Sequence, residues 1–393
     1  MKKGLVSKVC ILSMQRVENM GSLLQAYALK KTLENMGCEV EFLDIQPNAA
    51  DDKLRNGRYL DFSAGQGLSG LRKLQRKLKK IDKYIINRIK VKFNSRTQKR
   101  YFDEFRQNVL HIDKTSAHYD ICVIGSDEVF GCMSKVEWGF TTQLFGNVKE
   151  AERVITYAAS CGPTRFQDLP EKVVFRIQEA FERISSFSVR DKNTFEFVKK
   201  LTGKRAQEHL DPVLIYDFSS EVEQADMPKI PKRYCIIYSY PNRFNDQKEA
   251  EAIKEFCDKH KLIPVTLGGR QYWANRYITC SPFQCLKLFE KADFIITDTF
   301  HGTIFSAKYA KKFAVLVRES NYNKLSDLIV RLGIEEHWMR DIGELEEKYA
   351  VSKNTEHIQE VIDAGKEASI AYLQKNIVTS ESNAVHGNGV ETI

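Results

Sequence analysis

The sequence predicts an α/β protein of two doubly wound, Rossmann-like domains facing each other across a cleft, with a C-terminal helix. Three observations carry this prediction. At 393 residues the chain is long enough for two or three domains of about 150 residues each. The run YDICVI at 119–124 is apolar nearly throughout, as a strand covered on both faces of a parallel sheet should be. Strand-like and helix-like segments alternate in two stretches, separated by the acidic, aperiodic segment DFSSEVEQADMPKIP at 217–231, the pattern of paired α/β domains.

The elements follow in order. A strand at 6–12 leads through the loop SMQRVENMG into a helix with Leu23, Ala26, Leu29, Leu33 and Met36 on one face, stopped by Gly37. A strand at 39–45 comes next, then, after a basic segment, strands at 119–124, 154–158 and 187–189. Asp191 reads as the N-cap of a helix that ends at Gly203. The second stretch gives strand 234–240, helix 246–260, strand 263–267, helix 282–291 and strand 293–297. A helix beginning near Gly302, strand 313–317, helix 324–332 and a last helix over about 355–376 complete it. Domains are thus expected at 1–216 and 232–343, joined by a linker at 217–231, then a helical segment at 344–378 and a disordered tail at 379–393.

Composition narrows the function classes. Hydrophobic residues at 42% and charged residues at 28% describe a soluble globular chain, and no run approaches the ~20 apolar residues of a membrane span. Ser7 and Lys8 interrupt the first apolar run, so the N-terminus reads as a strand and not a secretory signal; a cytoplasmic location is expected. Nine scattered cysteines without a C-x-x-C pair read as reduced core thiols. The eight histidines show no metal-ligand spacing, so no metal is expected. Residues 71–100 carry thirteen Lys or Arg against the single acid Asp82, whereas the whole chain is only +8. Leu71, Leu74, Leu78, Ile81 and Ile85 give this arm one apolar helical face. It reads as a helix packed on its own protein or as one lying on an anionic membrane face. No nucleic-acid motif accompanies it.

Open α/β sheets bind ligands beyond the carboxyl ends of their strands, so the strand-end loops hold the candidate residues. In TDTFHGTIFS at 297–306, His301 sits where a strand meets a helix N-terminus, able to exchange a proton near pH 7. Gly302 permits close backbone approach there. In SVRD, Arg190 ends a short strand and can grip a carboxylate or phosphate, or simply pair with Asp191 or another acid. Asp127 in IGSDEVF either bonds its own backbone or accepts from a substrate hydroxyl. In NMGSLLQAYAL at 19–29, Gly21 and Ser22 open a helix after the first strand, with Asn19, Gly21 and Gln25 assigned to the acceptor side. Both the G-x-G-x-x-G and the G-x-x-x-x-G-K-[ST] fingerprints are absent. Gly268-Gly269 is a weaker echo of the same architecture.

These motifs, with YAASCG at 157–162, LDPVLIY at 210–216 and ADFIITDTFHGTIFSAKYAKKFAVL at 292–316, resemble the polysaccharide pyruvyl transferase family over about residues 5–335. The resemblance implies a two-domain, GT-B-like fold. It also implies transfer of pyruvate from phosphoenolpyruvate, as co-substrate, onto two hydroxyls of a sugar in capsule, exopolysaccharide or cell-wall glycan synthesis. It implies no further cofactor, and a sugar acceptor carried on a polyprenyl diphosphate. That would place the protein peripherally on the inner membrane face, with the basic arm as its contact. By the same resemblance His301 is the proton donor and Asp127 a partner of the acceptor hydroxyl. Arg190, Thr299, Phe300, Gly302 and Thr303 are then donor-binding residues. The sequence departs from the family at Thr299, where relatives have arginine, and at Phe300, where they have leucine. Arg318, Lys308 and Lys324 are the candidates to supply the missing charge. A nucleotide-sugar glycosyltransferase of the same build and a non-catalytic binding protein are the alternative readings.

Overall fold

A computed structural model describes residues 7–54, 94–134 and 136–377. It contains two all-parallel sheets. The first has strands β1 (Lys8–Leu12), β2 (Glu39–Phe42), β3 (Tyr119–Asp127), β4 (Ala151–Ala159), β5 (Ile184–Ser186), β6 (Ser188–Val189) and β7 (Gln207–Glu208). Their order is β2-β1-β3-β4-β6-β7, with β5 also paired to β4. The second has β8 (Tyr234–Ser239), β9 (Ile263–Gly268), β10 (Phe294–Thr297), β11 (Phe313–Leu316) and β12 (Trp338–Met339), ordered β12-β11-β10-β8-β9. In each sheet the winding reverses beside the first strand, between β1 and β3 and between β8 and β10. A reversal opens a crevice at the carboxyl ends of the two strands, and the two crevices meet in the cleft.

The expected strands and helices are present, with shifts that have physical causes. β3 continues three residues beyond the apolar run because its backbone still pairs with β4, out to Asp127 opposite Ala159. Helix Met20–Asn35 is capped by Asn19, whose Oδ1 accepts from Gly21 N at 2.7 Å. It is buried all round from Met20 to Lys30, not on one face, because it is wedged between the domains. Tyr27 from this helix meets Phe283 of the second domain at 5.0 Å between ring centroids. Helix Lys192–Thr202 runs as expected from its Asp191 cap to Gly203, which is left-handed at φ 70°. Helix Glu171–Phe181 was not read from the sequence, although Val173, Ile177, Ala180 and Phe181 form its buried face. The short β7 and β12 leave no periodic signal to read.

The segment 217–231 is not structureless. It contains helix Ser219–Gln224, and its Glu221 accepts from the hydroxyls of Tyr27 and Tyr216, both at 2.7 Å. The last helix, Thr355–Ile377, returns to the first domain, where the Tyr372 hydroxyl donates to Thr156 O at 2.9 Å. All nine cysteines are free and all but Cys38 are buried. Among the described residues no helix is long and apolar enough to cross a membrane. Of the basic arm, residues 71–93 lie outside the described residues, as does the tail 379–393. The arm's end at 94–100 is helical and docks on the second domain, where Gln98 donates to Cys280 O at 2.9 Å and accepts from Cys280 N at 3.1 Å.

The loop between β1 and the wedge helix is held by one buried guanidinium. Arg106 donates from Nε to Gln15 O at 3.0 Å, and from Nη2 to Arg16 O at 2.9 Å and Val17 O at 3.0 Å. Its Nη1 bonds Asp103 at 2.9 Å. Arg106→Met keeps an unbranched apolar stem but leaves these carbonyls without their donor. It is expected to lower stability by about 2–4 kcal/mol, measured as a reduced urea midpoint at unchanged slope.

Candidate active site

Five strand-end segments converge on one cluster. Asp127 ends β3, Arg190 follows β6, Asp211 lies just beyond β7, Ser22 stands in the first turn after β1, and His301 in the first turn after β10. Asp211 is positioned as the N-cap of the short helix Pro212–Ile215, accepting from Val213 N at 3.0 Å. Arg190 is buried between the two carboxylates. Its Nη1 donates to Asp211 Oδ2 at 2.9 Å and its Nη2 to Asp127 Oδ1 at 3.3 Å. The Phe300 ring covers the guanidinium, with its centroid 4.2 Å from Cζ, a cation–π contact. Ser22 Oγ donates to Asp127 Oδ2 at 2.6 Å. His301 places Nε2 3.5 Å from Asp211 Oδ2, yet that nitrogen and Arg190 Nε are both buried without a hydrogen bond.

The ring of His301 rests on Gly21. A Cβ at that glycine would stand 2.2 Å from the His301 Cγ and Nδ1, so any other residue there would have to push the ring aside. The electrostatics follow from the packing. Burial alone raises the Asp127 carboxyl, but Arg190, His301 and Ser22 outweigh it and hold the group below its ordinary value. Asp211 is likewise opposed by burial, and His301, Arg190 and the Val213 N–H bring it down to about 2. Both groups are therefore carboxylates at neutral pH, as buried acids can be only when paired.

Two cavities meet at His301. The larger, 390 Å³, is walled by Asp127, Glu128, Trp138, Arg190, His301 and Lys324. The smaller, 240 Å³, is walled by Asn19, Ser239, Tyr240, Gly268, Thr299 and His301. Asn19 and Tyr240 border both. Among the described residues no cluster of His, Cys, Asp or Glu could hold a metal ion.

Several expected assignments take a different form in the structure. Gln25, expected on the acceptor side, is buried behind the site, donating to Ser13 Oγ at 2.8 Å and Ser22 O at 3.0 Å. Thr299 is the N-cap of helix Phe300–Tyr309, its hydroxyl accepting from Gly302 N at 3.0 Å. Thr303 N bonds Thr299 O at 3.0 Å. The backbone at Gly302 and Thr303, expected to bind a donor anion, is therefore engaged within the helix. Gly302 is needed because a Cβ there would meet Thr297 Oγ1 at 2.1 Å. Arg190 pairs with Asp211 and Asp127, not with Asp191, which caps its helix and takes the Ser160 hydroxyl at 2.7 Å. Of the three candidate cations, Arg318 is bound to Glu249 and Asp298 at 2.7–3.1 Å. Lys308 caps the Val213 and Tyr216 carbonyls, each at 2.7 Å. Only Lys324 of the three borders the cavity. Asp211 and Glu128 were missed as site residues; the signal for Asp211 was its place before Pro212 in LDPVLIY.

Because the folded-state value of Asp211 lies at about 2, below the ordinary 3.8, its charge stabilises the fold above about pH 4. That contribution is lost as pH falls through the folded value. Asp211→Asn is expected to lower stability by a constant amount between pH 5 and 7. The gap from the natural protein should then narrow steadily below about pH 4 in urea titrations.

Comparison with known proteins completes the picture. The chain is similar to the glycosyltransferase SnogD from Streptomyces nogalater, at 13% identity and a TM-score of 0.43, covering 95% of this chain and 98% of that one. It is also similar to the UDP-GlcNAc 2-epimerase of Methanocaldococcus jannaschii, at 10% identity and a TM-score of 0.46, over 91% and 98% of the two chains. No protein of curated function matches its sequence. Residues 19–320, which include every residue of the cluster, match the family described as polysaccharide pyruvyl transferase. The chain belongs to the polysaccharide pyruvyl transferase family.

Proposed function

We propose that the protein transfers pyruvate from phosphoenolpyruvate to two hydroxyls of a sugar, forming a ketal and releasing phosphate. The observation that carries this reading is His301 standing between two cavities with a carboxylate behind it. One cavity has the cations Arg190 and Lys324 among its walls, to which an anionic donor could turn, and the other has largely neutral walls suited to a sugar. The basic composition of 71–100 supports an acceptor carried on a polyprenyl diphosphate at an anionic membrane face.

The chemistry needs a proton delivered to the donor methylene. His301 gives that proton, and the adjacent carbon becomes oxocarbenium-like. A sugar hydroxyl attacks this carbon and returns its proton to His301, now the base. The carbon–oxygen bond to phosphate breaks, the second hydroxyl closes the ketal, and its proton leaves with phosphate. Asp211 is a positioning residue that steadies the ring and its positive charge. Asp127, held ionised and therefore a weak base, walls the donor cavity and orients the attacking hydroxyl where it reaches past His301 into that cavity, by accepting its hydrogen bond.

Incubation with phosphoenolpyruvate and a glycan acceptor should release one phosphate per ketal formed. Consumption of a nucleotide sugar, with no phosphate from phosphoenolpyruvate, would instead favour a glycosyltransferase. Within the reaction, His301→Gln is expected to lower turnover by at least ~100-fold. Gly21→Ala should approach that loss with the far-ultraviolet circular dichroism unchanged, because its methyl displaces the His301 ring. Normal turnover in folded His301→Gln would remove the histidine from the mechanism.

A further inference from the structure

Two arginines at the strand ends of the second sheet are matched to carboxylates, and a third is not. Arg243 and Arg318, after β8 and β11, share Asp298, and Arg318 also binds Glu249. Arg270, in the loop after β9, has a partly buried guanidinium with no carboxylate, carbonyl or ring partner among the described residues, and its Nε is buried without a hydrogen bond. A buried donor left open in a folded protein points to a missing partner. No Asp or Glu occurs between Lys261 and Lys287, so the loop itself offers no acid. Arg270 lies beside the smaller cavity, two residues beyond Gly268 in its wall, and its carbonyl is fixed by Asn242 N at 2.9 Å. Its charge bears on the hydroxyl of Tyr277, and Tyr277 neighbours Tyr238, another wall residue. Burial pushes the Tyr277 hydroxyl up to about 12, so it remains a donor at neutral pH. The acid in that wall, Glu18, is paired with Lys99 at 3.3 Å.

Resting on the pyruvyl-transfer reading, we propose that Arg270 anchors a diphosphate attached to the acceptor sugar, with the Tyr277 hydroxyl as a second donor. A sugar that presents its hydroxyls to His301 in the smaller cavity leaves its other end toward Gly268 and the loop after β9. A planar guanidinium grips two phosphate oxygens at once, and the ligand supplies the acceptor that Nε lacks. The site recognises the diphosphate and not the group beyond it, so the carrier is either a prenyl chain or a nucleoside. It is separate from Arg190 and Lys324, which wall the larger cavity.

Isothermal titration of the full chain with farnesyl diphosphate, and separately with uridine diphosphate, tests the assignment. Arg270→Gln should weaken diphosphate binding by about tenfold or more, the scale of a lost charge-assisted hydrogen bond, and leave the affinity for phosphoenolpyruvate unchanged. Arg270→Lys should recover only part of the loss, because an ammonium lacks the fork. The guanidinium has no protein partner to lose, so the urea midpoint of Arg270→Gln should not fall. Loss for either diphosphate upholds the site, and the one affected more strongly names the carrier. No binding of either by the natural protein, unchanged affinity for both in Arg270→Gln, or an equal loss for phosphoenolpyruvate would overturn it. Failure of the pyruvyl-transfer reading shows separately, as an absence of turnover of phosphoenolpyruvate by the natural protein while diphosphate binding still depends on Arg270.

Discussion

A guanidinium buried between two carboxylates organises the first domain around the cleft. Removing three charges from water is tolerable only if every one has a partner in good geometry, and Arg190 supplies that partner to both Asp127 and Asp211. Each of the three is delivered by a different strand end, so the ends of β3, β6 and β7 must fall in register. The backbone bends to meet this demand. Asp127 is left-handed at φ 80° and Ala158, beside its strand partner, at φ 46°, conformations that cost a non-glycine residue about 1–2 kcal/mol. Such strain persists where surrounding contacts over-determine it, which is typical of sites.

The second domain enters this cluster through the first turn of helix Phe300–Tyr309. Thr299 caps the helix, Phe300 lies flat against Arg190, and the next residue, His301, turns to Asp211. Gly21, at the start of the wedge helix, leaves the space that the imidazole fills. The same helix, buried between the sheets, carries the core across the cleft: Leu23 and Leu29 share one cluster with Ile236, Ile304 and Phe305. His301 and the acid behind it therefore belong to different domains, and their alignment depends on the packing between them.

Most cations near the cleft are structural. The group of Arg243, Arg318, Glu249 and Asp298 is closed on itself, and Lys308 satisfies the last carbonyls of a short helix. The C-terminal helix further fixes the domains, with Gly365 packed so closely on Leu210 that a Cβ would approach it to 2.4 Å. The Lys324–Glu128 pair, by contrast, is partly exposed and joins the two domains across the cavity.

The sequence by itself determined the two parallel sheets, nearly all the longer helices and the strand-end location of Asp127, Arg190 and His301. Those features are local: apolar runs, helical periodicity, the Asp191 cap and the glycine stops are written within a few residues of where they act. The site's electrostatics were not legible, because they arise from residues far apart in sequence. Asp211 lies 90 positions from His301, and only the meeting of the two domains makes it that residue's neighbour. Gln25 belongs to the same motif as Asn19, but helical rotation turns it inward to Ser13 and Ser22, a direction proximity in sequence does not reveal. Thr299, read from the sequence as donor-binding, has its hydroxyl committed to capping a helix. Lys324, Lys308 and Arg318 were equivalent as charges in the sequence. Only tertiary structure separated them, because whether a cation is available depends on which carbonyls and carboxylates already surround it.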